Sequence, residues 1–521
     1  MLKAVRQPPS LVERKGDESR YEMRIESGSG FDDGVGPFGM SRLGIHPGLH
    51  RSDFRRVAQG GFGDGLNAYA HSMAWFDGHL YVGTTRGNFP FMKARLPIGM
   101  DVWPVECPEI PFDLDMRAEI WRYAPRDDRW ERVFKAPTII GSHGKPIPRE
   151  LGLRGMVVFD GRADQPPALF VTTWSPARGP GPLVLRSEDG RHFEPTCEPG
   201  LTGLPVTTIR TITQFKGRLF TTPAGSRGGN PNVSAHSVVY ESSDPAHGGW
   251  EPVCDFGFGD ANNKTIFEMV GFGDHLYVGT LNLEGYQIWR STCEGERPYV
   301  FEKVIDKGAY RGKLNQCALS MEVFKGALYV GSGIQGGGVD TQNKIGPAPP
   351  ELIRIHPDGS WDLLVGDSRD TPDGHKECLS GYLPGFDNFF NGYFWRLCAH
   401  DGWLYVSTFE WTSILGYANR KRWPQPFTNI VNYVDPQTIL DNQSGFDLYR
   451  SHDGENWVPV TTNGMDNPYN MGLRTMVSSP EGLFLGTANP FGPKVMPLGG
   501  DRYVPNPRGG CEVHFAPRAR G

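Results

Sequence analysis

Apolar and polar positions alternate along this chain in runs of strand length, and one run returns again and again. Five segments share an Asn, three residues, a bulky or apolar position, then Met or Leu, an apolar strand, a turn and a second apolar strand. They are NAYAHSMAWFDGHLYVGT from Asn67, NKTIFEMVGFGDHLYVGT from Asn263, NQCALSMEVFKGALYVGS from Asn315, NGYFWRLCAHDGWLYVST from Asn391 and NMGLRTMVSSPEGLFLGT from Asn470. Two more keep the strands and replace the Asn: ELGLRGMVVFDG from Glu150 and VTTIRTITQFKGRLFTT from Val206. Period-two alternation bounded by Gly and Asp turns predicts a β-hairpin at each of these seven starts. A second hairpin follows, read in EIWRYAPRDDRWERV (119–133), PLVLRSEDGRHFEPT (182–196), HSVVYESSDPAHGGWEPV (236–253), YQIWRSTCEGERPYVFEKV (286–304), ELIRIHPDGSWDLLV (351–365) and FDLYRSHDGENWVPV (446–460).

Two hairpins per repeat make a four-stranded sheet, and radial repetition of such sheets makes a propeller. The seventh repeat carries only three strands, the last being CEVHFAP (511–517), whereas RSDFRRV (51–57) matches the outer-strand pattern of FEPT, WEPV and WVPV. Pairing these two segments closes a ring and removes open sheet edges. The expected fold is therefore all-β: a seven-bladed β-propeller over residues 51–521, closed by an N-terminal strand that completes the C-terminal blade. Residues 1–50 are expected as an extended segment packed on it.

The S-x-D-G-x-x-[FW] turns at Ser187–Phe193 and Ser451–Trp457 resemble the Asp-box of sialidases and related propellers, one residue shorter between Asp and Gly. The hairpin-turn-LYVGT rhythm is kelch-like, without the kelch double Gly. This resemblance is to propeller repeat proteins at the level of architecture, and it implies a turn-stabilising role for both segments.

Composition agrees with many short strands and tight turns: 68 Gly, 44 Pro and 12% aromatics, against 21% charged residues. A net charge of −6 with no basic run gives a nucleic acid or an anionic membrane nothing to bind. No apolar stretch reaches membrane-spanning or signal-peptide length, so a soluble protein is expected. The eight Cys are scattered without CxxC or Cys/His spacing, which points to free thiols in the cytoplasm. GxSxG is absent, and the Gly-rich stretch at 336–338 opens no helix, so neither a nucleophile elbow nor a phosphate loop is expected.

Function is expected at the mouth of the channel. The loops joining second to third strands are short in three repeats (174–181, 223–235, 281–285) and long in four (85–118, 333–350, 409–445, 488–510). Long loops of this kind are commonly functional. The Asn column reads as structural, although Asn67 also stands among the candidate ligand contacts. Four residues on lie His71, Arg154, Arg210, Phe267, Leu319, Trp395 and Arg474: one half basic, the other apolar. The next column is small or hydroxylated except for Glu268 and Arg396. Glu150 replaces the repeated Asn, and Glu410, with Trp411 and Tyr417, stands at the root of a long loop.

These columns suit a small amphipathic anion, with Arg154, Arg210, Arg474 and Arg396 as anchors, and Phe267, Trp395, Trp411 and Tyr417 as the apolar wall. Glu268, Glu410, Glu150 and His71 are the candidate proton carriers for hydrolysis, elimination, isomerisation or cyclisation. The three Arg of the first column are similar to the carboxylate-binding triad of sialidases. The alternative is a non-catalytic propeller that binds a protein or a glycan. No metal ligand set is expected: only His71 lies in the relevant column, while His79 and His275 fall at turns and His400 replaces a core Phe. No cofactor is expected either, although central channels of propellers sometimes hold an ion.

Overall fold

Twenty-eight strands pair into one antiparallel system, accompanied by three separate two-stranded ribbons. The computed structural model describes residues 47–95, 100, 102–161, 165–226, 231–340, 342–419 and 425–518. Most of the N-terminal segment expected at 1–50 thus lies outside the described residues.

The pairings group consecutive strands in fours. The first sheet comprises Asn67–Phe76, His79–Arg86, Glu119–Ala124 and Arg129–Lys135. The second comprises Gly152–Phe159, Ala168–Trp174, Val184–Ser187 and Glu194–Pro195. The third comprises Thr208–Phe215, Arg218–Ala224, Tyr240–Ser242 and Glu251–Pro252. Asn263–Phe272, His275–Asn282, Ile288–Ser291 and Glu302–Ile305 form the fourth. Cys317–Phe324, Ala327–Gly333, Leu352–Ile355 and Trp361–Val365 form the fifth. Asn391–His400, Trp403–Glu410, Leu448–Ser451 and Val458–Thr461 form the sixth. In the last group Gly472–Ser479, Gly482–Ala488 and Val513–Pro517 are joined by Arg55–Ala58 from the other end of the chain, with Arg55 opposite Phe515 and Arg56 opposite His514.

First strands of successive sheets touch in chain order, and Asn67–Phe76 also touches Gly472–Ser479, so the order is cyclic. Apolar clusters fill the spaces between neighbouring sheets, as where Met73, Leu80 and Val82 meet Phe484 and Phe515. The small residue of the LYVG strand exists for this contact. A Cβ on Gly83 would lie 2.8 Å from Leu153 Cβ of the next sheet, and one on Gly331 would lie 2.8 Å from Phe394 Cβ.

The Asn column frames the ring. Nδ2 of Asn67, Asn263, Asn315, Asn391 and Asn470 donates to the carbonyl of Gly61, Gly257, Gly308, Gly385 and Gly464 respectively. The same nitrogens donate to Glu119, Gln287, Glu351, Asp447 and Glu512, which stand at the start of each third strand or immediately before it. All five Asn are buried, so each network satisfies polar groups that water cannot reach. In the second and third sheets, where the Asn is replaced, the residues in the partner position are apolar: Leu183 and Val238. Donor and acceptor have been exchanged together.

The turns at Ser187–Phe193 and Ser451–Trp457 are built on their Asp. Asp189 accepts from the amides of Arg191 and His192, and Asp453 from those of Glu455 and Asn456. Each also brings a Gly against the preceding sheet: Gly190 against the Tyr81 hydroxyl, Gly454 against that of Tyr329. Gly454 has φ +84°, so a side chain there is strained and also meets a buried ring. Gly454→Ala is expected to cost about 2 kcal/mol, read as a lower urea midpoint; an unchanged midpoint would deny the turn its role in joining two sheets.

Candidate functional site

Every first strand of the ring carries a β-bulge at the same place. The ladder slips between Ala70 and Ser72, Leu153 and Gly155, Ile209 and Ile212, Ile266 and Glu268, Ala318 and Ser320, Phe394 and Arg396, and Leu473 and Thr475. The extra residues are His71, Arg154, Arg210 with Thr211, Phe267, Leu319, Trp395 and Arg474. An inserted residue leaves the ladder and re-aims its side chain, a device common beside active sites. The half-basic, half-apolar column is thus the bulge column.

On the basic side four guanidiniums surround one imidazole. His71 is 6% exposed, and its Nδ1 bonds to Thr85 Oγ1. Burial, then Arg474, Arg154, Arg210 and Arg396, hold it well below the usual histidine range, so it is neutral at pH 7. Arg154 and Arg210 converge on one oxygen: Nη2 of the first donates to Asn232 Oδ1 at 2.8 Å, and Nη1 of the second at 2.6 Å. Arg210 lies over the ring of Phe267, 3.3 Å from its centroid. Arg474 lies over Trp395 at 5.4 Å and makes no hydrogen bond among the described residues. Burial, followed by Arg396 and Arg210, pulls Arg474 down to about 9. Burial pulls Arg210 down to about 10. Guanidinium keeps its proton in proteins, so these pulls reflect the cost of burying the positive charge, which Glu268 offsets in part.

Deeper along the same strands, Arg396 Nη1 pairs with Glu268 Oε2 at 3.3 Å, and Glu268 Oε1 accepts from Thr211 Oγ1 at 3.0 Å. Two residues beyond Ser320 stands Glu322. Burial, with a contribution from Glu268 and against Arg396, pushes its carboxyl up to about 7. The Nε atoms of Arg154, Arg210 and Arg396 are buried and have no hydrogen-bond partner among the described residues.

The apolar side is continuous with a core formed by the long loops. Phe267 and Leu319 pack in one cluster with Phe409, Trp411, Tyr417, Phe491 and Met496, and Trp395 packs against it. The loops of the first, sixth and last sheets grip one another: Met100 bridges Ala418, Val105 bridges Val495, and Tyr417 Oη donates to the Met496 carbonyl at 2.6 Å. The sixth-sheet loop contains two helices, Gln425–Val434 and Pro436–Gln443, the second capped by Asp435 accepting from the Thr438 amide. Tyr393 Oη accepts the amides of Gly336 (2.7 Å) and Gly337 in the fifth-sheet loop, which ties that loop to the same wall.

Of the residues proposed from the sequence, His71, Arg154, Arg210, Arg396, Arg474, Glu268, Phe267 and Trp395 stand together. Trp411 and Tyr417 belong to the apolar wall behind them. Three others stand elsewhere. Glu410 is fully buried and accepts from Thr412 Oγ1, Ser413 Oγ, the Ser413 amide and the Gly445 amide, so it staples the root of its own loop. Glu150 is buried against the Arg149 guanidinium, 3.0 Å away, and burial, opposed by that charge, pushes its carboxyl up to about 7. Asn67 bonds to Gly61, Glu119 and Arg86 within the frame. Asn232, Tyr69, Tyr393 and Glu322 are additions to the candidate set. Only Glu322 had a signal: its equivalents are Ala74, Val157, Thr213, Val270, Cys398 and Val477, so it is the one charged member of its column.

No cluster able to hold a metal ion occurs among the described residues, the eight Cys are free thiols, and no helix is long and apolar enough to cross a membrane. No protein-family model and no curated protein matches the chain. Solved structures similar to parts of it include a protein of unknown function from Dyadobacter fermentans DSM 18053, at 12% identity over 69% of this chain and 95% of that one, TM-score 0.38. A mutant α-L-arabinofuranosidase from Fusarium graminearum aligns at 11% identity over 65% of this chain and 86% of that one, TM-score 0.34. A nidogen/laminin complex aligns at 12% identity over 57% of this chain and 83% of that one, TM-score 0.30. At these identities and scores no activity transfers to this chain.

Proposed function

We propose that the cyclic array is a seven-bladed propeller whose mouth binds a small amphipathic anion and carries out acid/base chemistry on it. One observation carries this reading: four guanidiniums act on a neutral His71, and among the described residues Glu268 is the one carboxylate paired to any of them. Buried positive charge without a partner is costly, and a bound anion relieves it. Arg210 over Phe267 marks the seam where a ligand's charged group meets its apolar body. Glu268 and His71 are the proton carriers, the first paired with Arg396 and the second unprotonated at neutral pH. Docking of a flat protein surface fits less well, because His71, Arg154 and Arg474 are each more than nine-tenths buried.

Aromatic carboxylates such as 3-phenylpropionate are expected to raise the melting temperature, and Arg210→Ala to remove most of that shift. Glu268→Gln keeps its shape and loses its charge; it is expected to bind still and to lose catalysed exchange of the ligand's α-proton with D2O, followed by NMR. Equal ligand shifts in wild type and Arg210→Ala would end the anion reading. Exchange unaffected by Glu268→Gln would leave binding without this chemistry.

A further inference from the structure

We infer that the mouth is built for a dianion, with two acidic groups gripped at two subsites on one side of a shared apolar wall. This rests on the mouth being an anion site and adds the charge of the ligand. The first subsite is the pair Arg154 and Arg210. Their guanidiniums already meet on a single acceptor, the Asn232 side-chain oxygen, at 2.8 and 2.6 Å. Two forks aimed at one oxygen is the geometry of carboxylate or phosphate recognition, with a neutral amide oxygen marking the acceptor position. Their Nε atoms are buried without partners among the described residues, so the pair keeps donors in reserve.

The second subsite is Arg474. It is 9% exposed and makes no hydrogen bond among the described residues. Its guanidinium is seated over Trp395, whose ring also meets Tyr69 edge-on at 5.8 Å. The Tyr69 hydroxyl likewise has no hydrogen-bond partner among the described residues, and Tyr69 in turn meets His71 edge-on at 5.9 Å. A phenol and a guanidinium therefore stand together at Trp395, with an imidazole beside the phenol.

The charges facing this space agree. Arg154, Arg210, Arg396 and Arg474 supply positive charge, His71 is neutral, and Glu268 is committed to Arg396. One negative group on the ligand would leave either the Arg154–Arg210 pair or Arg474 unmatched, whereas two would match both. A dicarboxylate is the dianion that presents two such groups, whereas a phosphate monoester places both charges on one group, and the measurement separates them.

Isothermal titration calorimetry at pH 7.5 with 3-phenylpropionate, phenylsuccinate and phenyl phosphate holds the apolar body constant while changing the charge. Phenylsuccinate is expected to bind about ten- to hundredfold more tightly than 3-phenylpropionate, the range of one additional charge-assisted contact, and phenyl phosphate, with its one acidic group, to gain nothing from Arg474. Arg474→Ala should reduce phenylsuccinate to the affinity of 3-phenylpropionate and leave the monoanion within about twofold. Arg474→Lys, which keeps the charge, should recover part of the difference if the alanine variant proves unstable. Phenylsuccinate no tighter than 3-phenylpropionate, or an equal loss for all three in Arg474→Ala, overturns the two-subsite proposal while the anion site stands. Failure of all three probes to bind wild type removes both.

Discussion

Glu512→Ala is expected to be among the most damaging single substitutions in this protein, costing about 4 kcal/mol. Glu512 is 1% exposed, and both carboxylate oxygens are fully used. Oε1 accepts from Arg56 and Asn467, each at 3.0 Å; Oε2 accepts from Asn470 at 2.9 Å and bonds to His514 at 3.1 Å. Burial works to raise its pKa, and the hydrogen bonds from His514, Asn470 and Asn467 with the charge of His514 more than offset it. Removing it strands several buried donors at once. Arg56 belongs to the strand donated from the N-terminal end, so the same change loosens the closure of the ring. Glu512→Gln keeps the acceptor facing Asn470, as Gln287 does for Asn263, but presents an amide N–H2 to further donors. About half of the loss should be recovered. Urea midpoints of the two variants check this; a Glu512→Ala midpoint within error of wild type would show that the ring does not depend on this joint.

The repeat, the strand pairing and the closing strand could be read from alternation alone, because each sheet repeats the same two hairpins and internal symmetry serves as an alignment. The column His71, Arg154, Arg210, Phe267, Leu319, Trp395 and Arg474 stood out for the same reason. What the spacing could not reveal is that this column is one residue too many. A bulge present in every repeat leaves no gap between them, and only the ladder partners, such as Ala70 opposite Thr84 and Ser72 opposite Gly83, expose it. Asn232 was illegible because it lies in a second-to-third-strand loop, where length and sequence differ from repeat to repeat and leave no column to compare. Glu410 and Glu150 show the converse weakness: a departure from the repeat says that a residue is special, not which way it faces. Glu410 departs to hold a helical insertion, and Glu150 to meet Arg149. The partner column Glu119, Gln287, Glu351, Asp447 and Glu512 was legible in principle, since it vanishes in the two sheets that lack the Asn.

Glu322→Gln is expected to change the pH dependence of stability by about 2–3 kcal/mol between pH 5 and pH 8. In the folded protein burial pushes the Glu322 carboxyl up from 4.5 to about 7. Between those values the native state holds a proton that the unfolded chain has released. Stability therefore falls as pH rises through this window and levels off above it. His71 works in the opposite sense, because its depressed pKa removes stability as pH falls below the ordinary histidine range. For that reason the wild-type curve alone does not isolate either group, whereas the difference between wild type and Glu322→Gln does. Glutamine cannot ionise, so its advantage over wild type should be small at pH 5 and large at pH 8. A difference independent of pH would mean that Glu322 titrates as it does in water. The same ionisation reaches the mouth. When Glu322 loses its proton, Arg396 serves two carboxylates instead of one, and the positive field that holds an anion near His71 weakens. Anion affinity in the wild type should accordingly decline as pH passes about 7, and in Glu322→Gln it should not.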